Sequence, residues 1–150
     1  MVEITGEPQR AIERLASGAL VAIPTETVYG LAADAANPQA VAKVFALKGR
    51  PSSNPLIVHL HHTAAVDAWA SEVGATARRL MDAFWPGPLT LVLKAQPGVS
   101  RLITAGQDSV ALRVPAHPMA LQVLRGLGRA LVAPSANRYM GVSPTTAEHV

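Results

Sequence analysis

The run Lys48-Gly49-Arg50-Pro51-Ser52-Ser53-Asn54-Pro55 leads directly into the apolar Leu56-Ile57-Val58-His59-Leu60, so two cations and an amide stand immediately ahead of a buried segment. Pro51 disfavours helical backbone at Arg50, and residues two apart in an extended turn share a side; Lys48 and Arg50 are therefore expected to form a two-pronged anion clamp. A lysine complementing a helix C-terminus that Gly49 ends accounts for part of this pattern, but not for Arg50 or Asn54. Thr25, Glu26 and Thr27 follow an apolar run that Pro24 ends, and Pro134-Ser135-Ala136-Asn137 closes a later run in the same way. In Ser109-Val110-Ala111-Leu112-Arg113, alternation puts Ser109, Ala111 and Arg113 on one face, where an arginine is costly to bury unless an anion meets it. Lys48, Arg50 and Arg113, the hydroxyls of Thr25, Thr27, Ser109, Ser135 and Ser143, and the amides of Asn54 and Asn137 are matched by one nearby acid, Glu26. Such a set suits a polyphosphate beside a carboxylate and does not suit a proton-abstracting carboxylate pair.

The elements that must position these groups alternate. Helices are expected at Pro8–Ser17, from Asn37-Pro38 to Gly49, from Thr63 to about Glu72, from Thr76 through Leu80, Met81 and Phe84 facing inward, and at Pro118–Leu127. Short apolar strands are expected at Leu20–Ile23, Leu56–Leu60, Leu89–Leu93, Ser109–Pro115 and Ala130–Ala133. Leu31, Ala32 and Ala33 permit a helix after Tyr29-Gly30, whose free N–H groups would face a ligand; Thr25 as a plain N-cap explains one threonine and not both. Residues 95–107 are expected to form an irregular rim, and Ser143-Pro144 to open a final helix. Alternating strands and helices with polar residues at strand ends predict an α/β layered domain.

One domain is the simplest reading of 150 residues, and 49% hydrophobic residues interleaved with Gly and Pro predict a true core rather than disorder. No apolar run approaches the ~20 residues of a membrane span, so no membrane contact and a cytoplasmic location are expected. Cysteine is absent, which excludes disulfides, thiolate nucleophiles and Cys-type zinc sites. A net charge of +3 and 4% aromatic residues argue for small anions rather than a polyanion as direct ligands. His59, His61 and His62 do not suggest a metal site, because His62 opposes the other two on a strand and no carboxylate lies nearer than Asp67. A lone histidine in an apolar strand is more often a satisfied core residue than a functional one. The sequence has neither G-x-x-x-x-G-K-[ST] nor a G-x-S-x-G around Ser135, so a nucleotide would need another cradle and a serine hydrolase is disfavoured.

Five stretches taken together, Pro24-Thr25-Glu26-Thr27-Val28-Tyr29-Gly30-Leu31, Lys48-Gly49-Arg50-Pro51 with Asn54-Pro55-Leu56, Trp85-Pro86-Gly87-Pro88-Leu89-Thr90, Arg113-Val114-Pro115 and Ala133-Pro134-Ser135-Ala136-Asn137, resemble the YrdC/Sua5/TsaC family in order and over nearly the whole chain. The resemblance implies a single α/β domain over residues 1–150, with a twisted mixed sheet flanked by helices, expected to be truncated at its C-terminal end. It implies an L-threonylcarbamoyladenylate synthase, a nucleotidyltransferase that makes threonylcarbamoyl-AMP and pyrophosphate from L-threonine, bicarbonate and ATP with Mg2+, feeding the t6A modification of tRNA through transferase proteins of that pathway. The family's Lys-x-Arg and Ser-x-Asn signature falls on Lys48, Arg50, Ser135 and Asn137. ATP contacts fall on Arg50, Asn54, Ser109, Ser135 and Ser143, and L-threonine contacts on Thr27, His59, Arg113 and the backbone of Ala133. Arg138-Tyr139-Met140-Gly141-Val142 varies the pattern common in relatives. A double-stranded RNA or tRNA-binding module and a carbamoyl-transfer domain are the alternatives that the same resemblance allows.

Overall fold

A computed structural model describes residues 6–49, 51, 53–137 and 143–147. The chain begins with α1 (Pro8–Ala16), whose last residues carry it into β1 (Val21–Ile23). A turn returns it as β2 (Gly30–Asp34), antiparallel to β1, with Ile23 opposite Gly30. The segment expected to be helical after Gly30 is thus a strand: all five of its residues are buried, so no alternation marks it, and pairing with β1 overrides the helix propensity of its alanines. Asn37 caps α2 (Pro38–Lys48), its Oδ1 accepting the amides of Gln39 and Ala40 at 3.1 Å each. Gly49, in the left-handed region at φ 66°, ends it.

β3 (Ile57–His59) follows, then a 3-10 helix (Thr63–Ala68) whose cap is the His62 imidazole rather than Thr63. Next come α3 (Ala75–Phe84), β4 (Leu91–Lys94), a single turn α4 (Arg101–Thr104) inside the expected irregular rim, β5 (Ser109–Arg113), α5 (Pro118–Leu127) and β6 (Leu131–Val132). Met81 is buried as expected on α3, whereas Phe84 is 55% exposed because Trp85 supplies the apolar end of that turn. The helix expected from Ser143-Pro144 runs into residues outside the described ones.

The strands form one mixed sheet in the order β1-β2-β6-β3-β5-β4, with β3 and β5 parallel and the other pairs antiparallel. Its two faces are covered unequally. Val58, Val110, Leu112 and Val132 point into the larger core, which α2, the 3-10 helix, α3 and α4 close with Val41, Val44, Val66, Met81 and Ile103. On the opposite face α1 and α5 cover only the β1-β2-β6 half, packing Leu15, Val123 and Leu124 on Ile23, Ala32 and Leu131. Among the described residues no helix lies over the β3-β5-β4 half of that face: Val92, opposite Ala111 on β5, is 65% exposed. No helix among the described residues is long and apolar enough to cross a membrane.

Candidate active site

Register decides which side chains front the uncovered half. Ile57 pairs with Ala111 and His59 with Arg113 in the parallel β3–β5 ladder, so these four share a face, and Ser109 extends the row. Ala133 joins them from the end of β6, its amide donating to the Ile57 carbonyl at 3.3 Å. The antiparallel ladder of β2 and β6 continues past β6 through a bridge between Gly30 and Ser135. A Cβ on Gly30 would stand 3.2 Å from that of Ala133, so the close approach of these segments calls for glycine. Between the β1–β2 turn and this sheet face lies a cavity of about 300 Å3, bounded by Thr25, Thr27, Gly30, Ile57, His59, Arg113, Ala133 and Ser135.

Arg113 is 7% exposed and its guanidinium is held from three sides. Nε donates to the Gly87 carbonyl at 3.0 Å, Nη1 to Thr27 Oγ1 at 3.3 Å, and Nη2 to Glu26 Oε1 at 2.5 Å. The other Glu26 oxygen accepts the Ala116 amide at 2.8 Å, which ties the β1–β2 turn to the end of β5. Inside that turn Thr25 Oγ1 donates to the Val28 carbonyl at 2.7 Å and accepts the Thr27 amide at 3.2 Å. The two threonines are therefore a hydroxyl-stabilised turn, not a helix cap.

His59 is 2% exposed. Burial, and after it the neighbouring Arg113 charge, lowers its pKa from 6.5 to about 4, against opposing contributions from the Ile57 carbonyl and Glu26. The imidazole is neutral at pH 7. With Nδ1 3.2 Å from the Ile57 carbonyl the proton belongs on Nδ1, which leaves Nε2 as a hydrogen-bond acceptor at the cavity.

A second cluster adjoins the first through Ser135. Lys48, 5% exposed at the end of α2, donates to the Ser135 carbonyl at 2.5 Å and to the Asn137 carbonyl. Lys48, one half of the expected clamp, holds the backbone of the Ser-x-Asn turn with its buried ammonium in charge-assisted hydrogen bonds. Arg50, its expected partner, lies outside the described residues, as does the 138–142 stretch. The Ser143 hydroxyl donates to Asn137 Oδ1 at 3.5 Å, closing the turn from the far side.

Of the residues expected to take L-threonine, Thr27, His59, Arg113 and Ala133 all bound the one cavity. Those expected to take ATP are more spread: Ser135 bounds the cavity, and Ser143 contacts Asn137. Ser109 lies on the Arg113 face about 13 Å along β5, at ~3.3 Å per residue. Asn54 sits in the turn between α2 and β3, its amide donating to the Pro51 carbonyl at 3.1 Å. Sequence reasoning named Glu26 as the nearby acid but did not join it to Arg113; a buried arginine in want of an anion, with one acid at hand, was the signal that could have done so. Among the described residues no three His, Asp or Glu side chains stand together as a metal site, and the polar side chains of the lining are three hydroxyls, one imidazole and one guanidinium.

A mixed sheet with half of one face left open, and a cavity built there from strand ends, defines an α/β small-molecule site of the kind found beyond strand termini. The family model for Sua5/YciO/YrdC, described as telomere recombination, matches residues 13–150, and the chain belongs to this family. A threonylcarbamoyl-AMP synthase of Bacillus subtilis (strain 168) is 47% identical over 149 residues, covering 97% of this chain and 43% of its own length. A threonylcarbamoyl-AMP synthase of Pyrococcus abyssi (strain GE5 / Orsay) is 50% identical over 133 residues, covering 89% and 39% respectively. The crystal structure of P. abyssi Sua5 complexed with L-threonine matches at a TM-score of 0.92 and 46% identity, over 95% of this chain and 42% of that one. The chain thus spans about two fifths of the length of these relatives.

Proposed function

We propose that this chain carries the synthase domain that forms threonylcarbamoyl-AMP and pyrophosphate from L-threonine, bicarbonate and ATP, a nucleotidyltransferase reaction serving t6A modification of tRNA in the cytoplasm. The observation that carries this reading is the buried Arg113 at one end of the cavity and the Lys48-braced Ser135–Asn137 turn at the other, with hydroxyls and a neutral imidazole between them. Likeness to synthases at 47% and 50% identity, and to a Sua5 complexed with L-threonine, supports the same reading.

The chemistry suits those groups. The threonine amine and bicarbonate give a carbamate and water; a carbamate oxygen then attacks the α-phosphorus of ATP, the bond to the β-phosphate oxygen breaks, and pyrophosphate leaves. Arg113 would take the threonine carboxylate in a charge-assisted pair, while Thr27, His59 Nε2 and the Ala133 backbone bound the rest of the amino acid. Ser135, Asn137, Ser143, Asn54 and Ser109, together with Arg50, would line the path of the nucleotide. Mg2+ would arrive on the triphosphate, which it commonly prefers to an all-protein cage, and would offset phosphate charge. Catalysis then rests on positioning of two anionic reactants. The adenylate, a mixed anhydride, would pass to transferase proteins that act on tRNA.

Pyrophosphate release by this chain should require L-threonine, bicarbonate and ATP together. Arg113→Ala should lower it by about 100-fold or more, the usual scale for losing a buried charge contact to substrate. Release that is indifferent to L-threonine would overturn the assignment.

A further inference from the structure

Glu26 has no part in the contacts assigned above to either substrate, yet it is paired with Arg113, the one permanent charge among the described residues that bound the cavity. Its side chain is 24% exposed against 9% for Arg113, and both its oxygens are fixed, one on Nη2 at 2.5 Å and one on the Ala116 amide at 2.8 Å. The carboxylate is thus anchored and does not swing as a temporary occupant. Among the described residues that bound the cavity, only Arg113 and His59 carry titratable side chains other than hydroxyls, and the imidazole is neutral at pH 7. Around Arg113 the balance is therefore one guanidinium against one carboxylate, while the Lys48 ammonium is held on the Ser135 carbonyl.

From this balance, and resting on the reading given under Proposed function, we infer that Glu26 is a specificity-determining residue: it neutralises Arg113 so that the cavity selects a zwitterionic α-amino acid over a simple anion. A buried guanidinium without a fixed counter-charge attracts any anion, and apart from water every other reactant or product of the proposed reaction is one. Against the Arg113–Glu26 pair, a phosphate or hydroxy acid meets nearly cancelled charge. An amino acid retains attraction at both ends, carboxylate to guanidinium and ammonium to the field of the carboxylate. Glu26 acts through Arg113 and needs no contact with the reacting atoms.

The test is equilibrium binding of L-threonine, of its hydroxy-acid counterpart and of inorganic pyrophosphate to the wild-type chain, Glu26→Gln and Glu26→Asp, with melting curves for each. Glu26→Gln should lower the preference for L-threonine over the hydroxy acid by about tenfold or more and should tighten pyrophosphate binding, as expected for removal of a charge in a partly buried site. Glu26→Asp, which keeps the charge, should retain the preference and keeps the test readable if Glu26→Gln does not fold. Parallel loss of all three ligands, or an unchanged preference in Glu26→Gln, or a lost preference in Glu26→Asp, overturns the inference while leaving the functional reading intact. A wild-type chain that binds pyrophosphate but not L-threonine overturns both.

Discussion

Lys48 is a buried ammonium matched to backbone carbonyls 87 and 89 positions downstream, so its role depends on a contact between remote parts of the chain. Lys48→Met keeps the stem and removes the donors; two carbonyls then lose a charge-assisted partner. The expected result is a loss of about 3 kcal/mol in urea unfolding together with weaker nucleotide binding. His59 gives a prediction of a different kind. Its folded pKa of about 4 lies below the unfolded 6.5, so the unfolded chain binds the extra proton between these values. The stability tied to neutral His59 is complete above pH 6.5 and falls as pH drops toward 4, by about 3 kcal/mol for a shift of this size. Urea midpoints at pH 7 and pH 4.5 measure it, and His59→Gln should flatten that part of the profile. The residue types at the site were legible because chemistry restricts them: an arginine on an apolar strand must meet an anion. Which anion was not legible, since Glu26 and Arg113 are joined only once β1, β2 and β5 have assembled.

At the level of elements, the turn after α3 holds the guanidinium as firmly as the strand does. Gly87 donates its amide to the Val114 carbonyl at 2.8 Å and accepts Arg113 Nε at 3.0 Å. The Trp85 indole N–H donates to the Leu89 carbonyl at 2.7 Å and closes the same turn. A Cβ on Gly87 would stand 2.3 Å from the Phe84 carbonyl oxygen, a backbone atom that cannot step aside cheaply. Gly87→Ala should therefore cost about 2 kcal/mol or more, seen as a lower melting temperature, and should weaken L-threonine binding more than nucleotide binding. Most elements could be read from caps and punctuation: Asn37-Pro38 and Gly49 bracket α2, and Pro118 opens α5. The β2 segment could not, because its five buried residues lack alternation and its alanines suit a helix equally well. Thr63–Ala68 is a 3-10 turn capped by His62, with Val66 fully buried beneath it, where the sequence suggested a longer helix.

Across the whole molecule, the two sheet faces serve different ends. The larger core is sealed by four helical segments, while α1 and α5 cover half of the other face and stop where the cavity begins. Leu15 is fully buried in that smaller layer, far from the ligand groups in sequence. Leu15→Ala should cost about 2 to 5 kcal/mol by denaturant titration with an unchanged slope. Sequence periodicity announced α/β layering and both helices of this cover. Their placement over one half only was not legible, because strand order is set by long-range pairing and not by neighbours along the chain.

The parallel pairing of β3 and β5 carries a restriction on how this protein can change. Even-numbered residues of the two strands are cemented into the apolar layer while odd-numbered ones face the other side of the sheet, where Ile57, His59 and Arg113 bound the cavity, within strands only three and five residues long. Inserting or deleting a single residue in either strand would drive imidazole or guanidinium into hydrocarbon and turn branched aliphatics outward. Evolution can therefore retune this cavity by substitution at fixed positions, and can add or remove length only in the connections.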